Sequence, residues 1–138
     1  MGFKNPAYDL LTAYYQLLSA TLSVPVYKGQ APTDVTGNYV VVRIEGVSSE
    51  RNKHLFLTTV TIITEVVTAF AASVNTKTAN DIEGEISQLL LPTPNSYGIT
   101  LTSFNLHGLK LQSTVDQVEE ADQLYYVKIS RWENLINQ

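Results

Sequence analysis

The side chains best suited to moving a proton near neutral pH are the two histidines, His54 and His107, and neither stands beside a partner in the sequence. His54 lies where a polar stretch enters a β-rich run, and His107 lies within another such run beside Asn105. Metal ligation needs spaced donors, and no H-x-H, H-E-x-x-H or D-x-[DN]-x-[DN]-G pattern occurs. Asp81, Glu83 and Glu85 are two residues apart on a segment of helical spacing. Successive carboxylates therefore point about 200° from one another and cannot converge as an acid/base pair. Their place near a helix start favours interaction with the helix dipole instead. Asp116, Glu119, Glu120 and Asp122 crowd into seven residues, but no Gly-turned ligand loop accompanies them, which predicts a solvated acidic connector rather than a Ca²⁺ site. Glycine-rich phosphate cradles of the form G-x-x-x-x-G-K-[ST] or G-x-G-x-x-G are missing from the sequence. With zero Cys there is no thiol nucleophile, zinc ribbon or disulfide scaffold. The expectation is a chain with no catalytic centre, no cofactor and no metal. The enzymatic alternative is a small α+β enzyme with His107 as base and a carboxylate from the acidic connector.

A chain of 138 residues has room for one core, so residues 1–138 are expected to form a single domain. Charged residues make up 16% of the chain, under the roughly 25% of an average soluble domain, and uncharged polar residues fill the gap. The net charge is −4, and tight binding of a phosphate backbone needs clustered cations that this balance does not supply. The first residues carry no basic stretch followed by an apolar core, and no run of about eighteen apolar residues occurs, so neither secretion nor membrane spanning is expected.

The elements that must position any site follow from periodicity. From residue 6 to 22 the apolar positions Ala7, Leu10, Leu11, Tyr14, Leu17, Leu18 and Leu22 recur at three and four, which predicts a one-faced helix with Asn5 as cap and Pro6 in its first turn. Val24-Pro25-Val26-Tyr27 reads as a short edge strand, since Pro25 cannot donate to a ladder, and residues 28–38 hold the turn formers Gly29, Pro32, Asp34, Gly37 and Asn38. Residues 39–47 and 54–67 are β-rich and flank Ser48, Ser49, Glu50, Arg51, Asn52 and Lys53, the pattern of a hairpin with a polar tip. Residues 76–91 return to helical spacing, with Thr78 to Asp81 as capping box and Pro92 as stop. Residues 99–111 predict a further strand, with Ile99, Leu101, Leu109 and Leu111 on one face and Phe104 and Leu106 on the other. Residues 124–132 close the sheet. The expected fold class is α+β: an antiparallel meander with two helices on one face and a long protruding hairpin.

That hairpin is the feature with functional weight. About fourteen residues at ~3.3 Å reach roughly 46 Å, against a body of roughly 37 Å. A bare arm with apolar residues on both faces invites association. The predicted oligomer or partner contact is therefore Ser48, Ser49, Glu50, Arg51, Asn52 and Lys53 at the tip, with Leu55 and Leu57 behind it. Paired tyrosines such as Tyr14-Tyr15 and Tyr125-Tyr126 place one ring inward and one outward.

In element order the chain resembles the tail terminator, or tail completion, proteins of tailed bacteriophages. The likeness lies in the N-terminal amphipathic helix, in Val24-Pro25-Val26-Tyr27 with the Gly/Pro loop from Gly29 to Gly37, and in Tyr39-Val40-Val41-Val42. It continues through the hairpin into Thr59-Val60-Thr61-Ile62-Ile63-Thr64, the helix with Ile82, Ile86, Leu89 and Leu90, and the closing Tyr125-Tyr126-Val127-Lys128-Ile129-Ser130. The resemblance implies a non-enzymatic structural protein of the virion neck, synthesised in the bacterial cytoplasm. It would form a homo-oligomeric ring, hexameric in such families, between the tail tube protein and a head-completion or connector protein. DNA would pass through without being held tightly, with Asp116, Glu119, Glu120 and Asp122 at the lumen or a docking loop. A head-tail connector ring of a different subunit number is the alternative within the same class.

Overall fold

The computed structural model describes residues 3–33, 35, 37–51, 56–70, 77–120 and 124–137, with Arg51, Phe70 and Glu120 described by their backbone only. Helix α1 (Ala7–Thr21) leads into strand β1 (Val26–Lys28), β2 (Tyr39–Arg51) and β3 (Phe56–Phe70). Helix α2 (Lys77–Leu90), β4 (Asn105–Glu120) and β5 (Leu124–Asn137) follow. The α+β class is as expected: two helices and one open, five-stranded, mostly antiparallel sheet, in which only β1 and β2 run parallel. The strand order is β1-β2-β3-β5-β4. The last strand therefore does not extend the meander at its edge but inserts between β3 and β4.

Strand β3 shows how the sheet is sided. Thr58, Val60, Ile62, Thr64, Val66 and Thr68, every second residue, are all buried under the helices. The opposite parity keeps Leu57, Thr59, Thr61 and Glu65 partly exposed. The helices supply Leu10, Tyr14, Leu18, Ile82, Ile86 and Leu90 to the same core as Val40, Val42, Trp132 and Ile136, a one-face burial that follows from helical and strand periods of 3.6 and 2. The helix-free face is not bare either. Ile63 pairs with Arg43 on one side and Arg131 on the other and is fully buried on that face, where flanking side chains with long apolar stems can shield it from water.

Several boundaries differ from the sequence expectation, each for a physical reason. Helix α1 begins at Ala7, whose N–H donates to Asn5 Oδ1 at 3.0 Å, so Asn5 caps while Pro6 stays just outside the helix. Helix α2 begins at Lys77, which places Thr78 inside it, and no acidic residue lies in its first turn. Asp81 instead pairs with Lys77 one turn back at 2.8 Å. The polar tip is shorter than expected, since Ser48, Ser49, Glu50 and Arg51 continue β2 and pair with Thr59, Thr58, Leu57 and Phe56. The hairpin is long but not alone: β5 runs beside β3 from Leu57 to Phe70, and this second ladder supports its length. The third β segment begins at Asn105, not residue 99, and a register shift between Leu106 and Gly108 puts Leu106 and Leu109 on the same, helix-covered face. The chain between α2 and β4 closes tightly at Gly98. Its N–H donates to Leu90 O at 2.9 Å, and a Cβ there would overlap the Leu89 carbonyl.

Candidate functional site

The residues first weighed for chemistry do not converge. His107 is exposed on β4 at the register shift between Leu106 and Gly108. The nearest of the acidic residues proposed to work with it, Asp116, lies nine positions along the same strand, a distance of about 30 Å. His54, with Asn52, Lys53 and Leu55, lies outside the described residues, as does Asp122. Among the described residues no three His, Cys, Asp or Glu side chains are grouped as metal ligands, and no helix is long and apolar enough to cross a membrane.

The acidic segment is not a connector. Asp116, Glu119 and Glu120 are strand residues of β4, paired with Lys128, Tyr125 and Leu124 of β5. Strand alternation sends Asp116 to the helix side and Glu119 to the other, so the segment forms no single acidic patch. Asp116 accepts a hydrogen bond from Lys128 Nζ at 2.9 Å and another from the Tyr126 hydroxyl. The Lys128 bond chiefly holds its carboxyl below the usual carboxylate range. A carboxyl whose folded pKa lies below its unfolded value adds stability above the unfolded pKa and loses it as pH falls through the folded one. Asp116→Asn should therefore lower the stability measured by urea unfolding at pH 7, by up to about 1 kcal/mol for a pair whose carboxylate is solvent-exposed. Its difference from the wild type should shrink as the pH falls below the ordinary carboxylate range.

On the helix-free face a cavity of about 520 Å³ opens between the β1–β2 loop and the sheet, lined among others by Tyr39, Val41, Arg43, Glu65, Glu119 and Tyr125. The phenol of Tyr39 is pushed up, first by burial and then by the negative neighbours Tyr125, Glu65 and Glu119. Three ion pairs lie on this face: Arg43 with Glu65 at 3.5 Å, Arg131 with Glu45 at 2.8 Å across β3, and Lys110 with Glu133 at 3.8 Å. The tyrosine pairs split as expected. Tyr14 and Tyr126 are buried while Tyr15 and Tyr125 are half-exposed, and Lys28 Nζ stands 4.7 Å from the ring centroid of Tyr8 and 5.7 Å from that of Tyr15.

What sequence reasoning did not identify is which strands leave open edges. Among the described residues strand β4 is an edge along its whole length, and β1 covers only Val40 to Val42 of β2. Leu111, Val115 and Val118 on β4 and Val47 on β2 are among the exposed large apolar residues. Leu111 has the spacing of a core residue, and only its place on the outermost strand leaves it in solvent.

No protein-family model matches the sequence, and no curated protein matches it. The fold does match solved structures. It is similar to a chain of the virion of a native gene transfer agent particle, with a TM-score of 0.72 and 19% sequence identity over 96% of this chain and 99% of that one. A second solved chain is similar with a TM-score of 0.55 and 15% identity, over 94% of this chain and 90% of that one. At these identities the likeness is one of fold.

Proposed function

We propose that the chain is a non-enzymatic structural component of a phage-like virion, and within it a ring protein of the neck that ends the tail tube and joins it to the head. The observation that carries this reading is the end-to-end fold likeness to a chain of a gene transfer agent virion, covering 96% of the sequence. The element order that resembles tail terminators supports the finer placement. So does the open sheet, whose two unpaired edges suit assembly from copies. The tip residues Ser48, Ser49, Glu50 and Arg51, with Leu57 on β3 and the neighbouring Asn52, Lys53 and Leu55, are the proposed contact between subunits or with a tail or head partner. In each of the three ion pairs of the helix-free face a cation is neutralised by a carboxylate, and a face whose described Arg and Lys side chains are so paired lets duplex DNA pass rather than adhere. Asp116, Glu119, Glu120 and Asp122 are proposed to face that passage or a docking partner.

The test is light scattering over a concentration series with negative-stain imaging. Rings, six-membered by the resemblance, are expected for the full chain, and deletion of residues 48–53 should abolish them while leaving far-UV circular dichroism intact. Duplex DNA should bind weakly, without a steep salt slope. A wild type that forms no ring at any concentration, or that grips DNA tightly at 150 mM salt, overturns the reading.

A further inference from the structure

We infer that copies of this chain join head to tail by sheet extension, the β4 edge of one copy pairing antiparallel with residues 43–51 of β2 in the next. The inference deepens the ring reading above and rests on it only for closure. Among the described residues strand β4 hydrogen-bonds to β5 alone. On the opposite side β1 pairs with Val40, Val41 and Val42, and Gly29 N–H reaches Val42 O. Beyond that point no strand flanks β2 among the described residues. Each edge thus offers a row of backbone donors and acceptors to another strand.

Direction and level both fit. Strands β2 and β5 run antiparallel to β3, and β4 runs antiparallel to β5, so β4 opposes β2 in direction. A second copy set edge to edge in the same orientation therefore makes an antiparallel pair. The cross-strand rows put like surfaces at matching heights. One row reads Leu109, Asn134, Val60, Val47, and the next reads Leu111, Trp132, Ile62, Ile44. Each row begins and ends on an apolar side chain of the helix-covered face. The two that solvent reaches most, Val47 at 41% and Leu111 at 42%, stand on opposite edges one row apart. Beside Leu111 a cavity of about 480 Å³ opens under Leu91, Pro92, Pro94 and Tyr97, and the Val47 side chain of the next copy would enter it. The two edges are different surfaces, so the contact is heterologous. It closes into a ring when the rotation between copies divides a full turn and otherwise runs on as a filament.

The chain has no cysteine, which allows a direct test by cross-linking. Facing residues of an antiparallel pair come within disulfide range. Ile44→Cys/Leu111→Cys reports pairing in register, and Val47→Cys/Leu111→Cys reports the register displaced by one row. Mild oxidation of the assembled protein should give a ladder of covalent multimers in one of the doubles and none in the three single variants. In parallel, Val47→Lys should raise the concentration for half-assembly by at least roughly tenfold, and adding Leu111→Glu should reverse this. Both sites are solvent-exposed, so far-UV circular dichroism should be unchanged. Dimers from Leu111→Cys alone would mean a β4–β4 contact and overturn the inference. Rings that form without any cross-link in either double would overturn it while leaving the ring reading in place. A ladder found in open filaments would keep the edge contact and reject the ring, and a chain that stays monomeric throughout rejects both.

Discussion

Trp132→Ala is expected to destabilise the fold by about 3 to 5 kcal/mol, a large part of the roughly 5 to 15 kcal/mol available to a domain of this kind. Trp132 is fully buried in the middle of β5, paired with Ile62 on one side and Leu111 on the other. Its indole N–H donates to Thr64 Oγ1 at 2.9 Å. Alanine removes the ring, leaves a cavity that the flanking strands cannot close, and strands the Thr64 hydroxyl in the core. At about 2 to 4 °C per kcal/mol the melting midpoint followed by far-UV circular dichroism should fall by about 10 °C or more. Trp132→Phe, which keeps most of the apolar contact and loses the hydrogen bond, should fall by much less. A fall of only a degree or two for the alanine variant would mean that the ring is not in the core.

Asn134→Ala is expected to cost about 3 kcal/mol, because one side chain satisfies three buried groups. The Tyr14 hydroxyl donates to Asn134 Oδ1 at 2.6 Å, and Asn134 Nδ2 donates to the carbonyls of Val60 and Trp132, both at 3.1 Å. The residue thereby ties α1 to β5 and β3 from within an otherwise apolar core. Tyr14→Phe should cost about 1 to 2 kcal/mol by leaving Oδ1 unmatched. The double variant with Asn134→Ala should cost less than the sum of the singles, and the shortfall is the coupling between the two. Urea unfolding of the four proteins measures it. Burial raises the Tyr14 phenol above its ordinary 10.0 despite the Asn134 bond. A group whose folded pKa exceeds its unfolded one contributes fully below the unfolded value and loses that contribution as pH rises. The wild type should therefore lose stability above about pH 10, and Tyr14→Phe should flatten that loss.

The core network was only half legible. Tyr14 stands out as an inward position of an amphipathic helix, whereas the run holding Val60 and Ile62 is apolar on both parities and does not by itself say which faces the core. Asn134 carries no such signal, since a polar residue near the end of the chain reads as surface until the helix hydroxyl that it meets, 120 positions away, is in place. The acidic run from Asp116 onward was misread for a related reason. A strand at the edge of a sheet is wetted on both sides beyond the helices, so nothing selects alternation in it, and Asp, Gln and Glu there look like a loop. Its extended conformation comes from hydrogen bonds to β5, not from its own side chains. The register shift at Leu106/Gly108 likewise brings Leu106 onto the face of Leu109 and Leu111, and period counting assumes an unbroken ladder.

The sequence by itself determined the local elements and the sidedness of the helices: two amphipathic helices, long β-rich runs apolar on both parities, and a negative, weakly charged composition. These follow from spacing within a few residues. Only the tertiary structure decided which strands are neighbours: that β5 inserts between β3 and β4, that β1 is too short to cover β2, and that two edges are left open at matching heights. Strand adjacency is set by backbone hydrogen bonds, which every residue type except proline can make. It is resolved only when the whole sheet buries its helix-facing side at once.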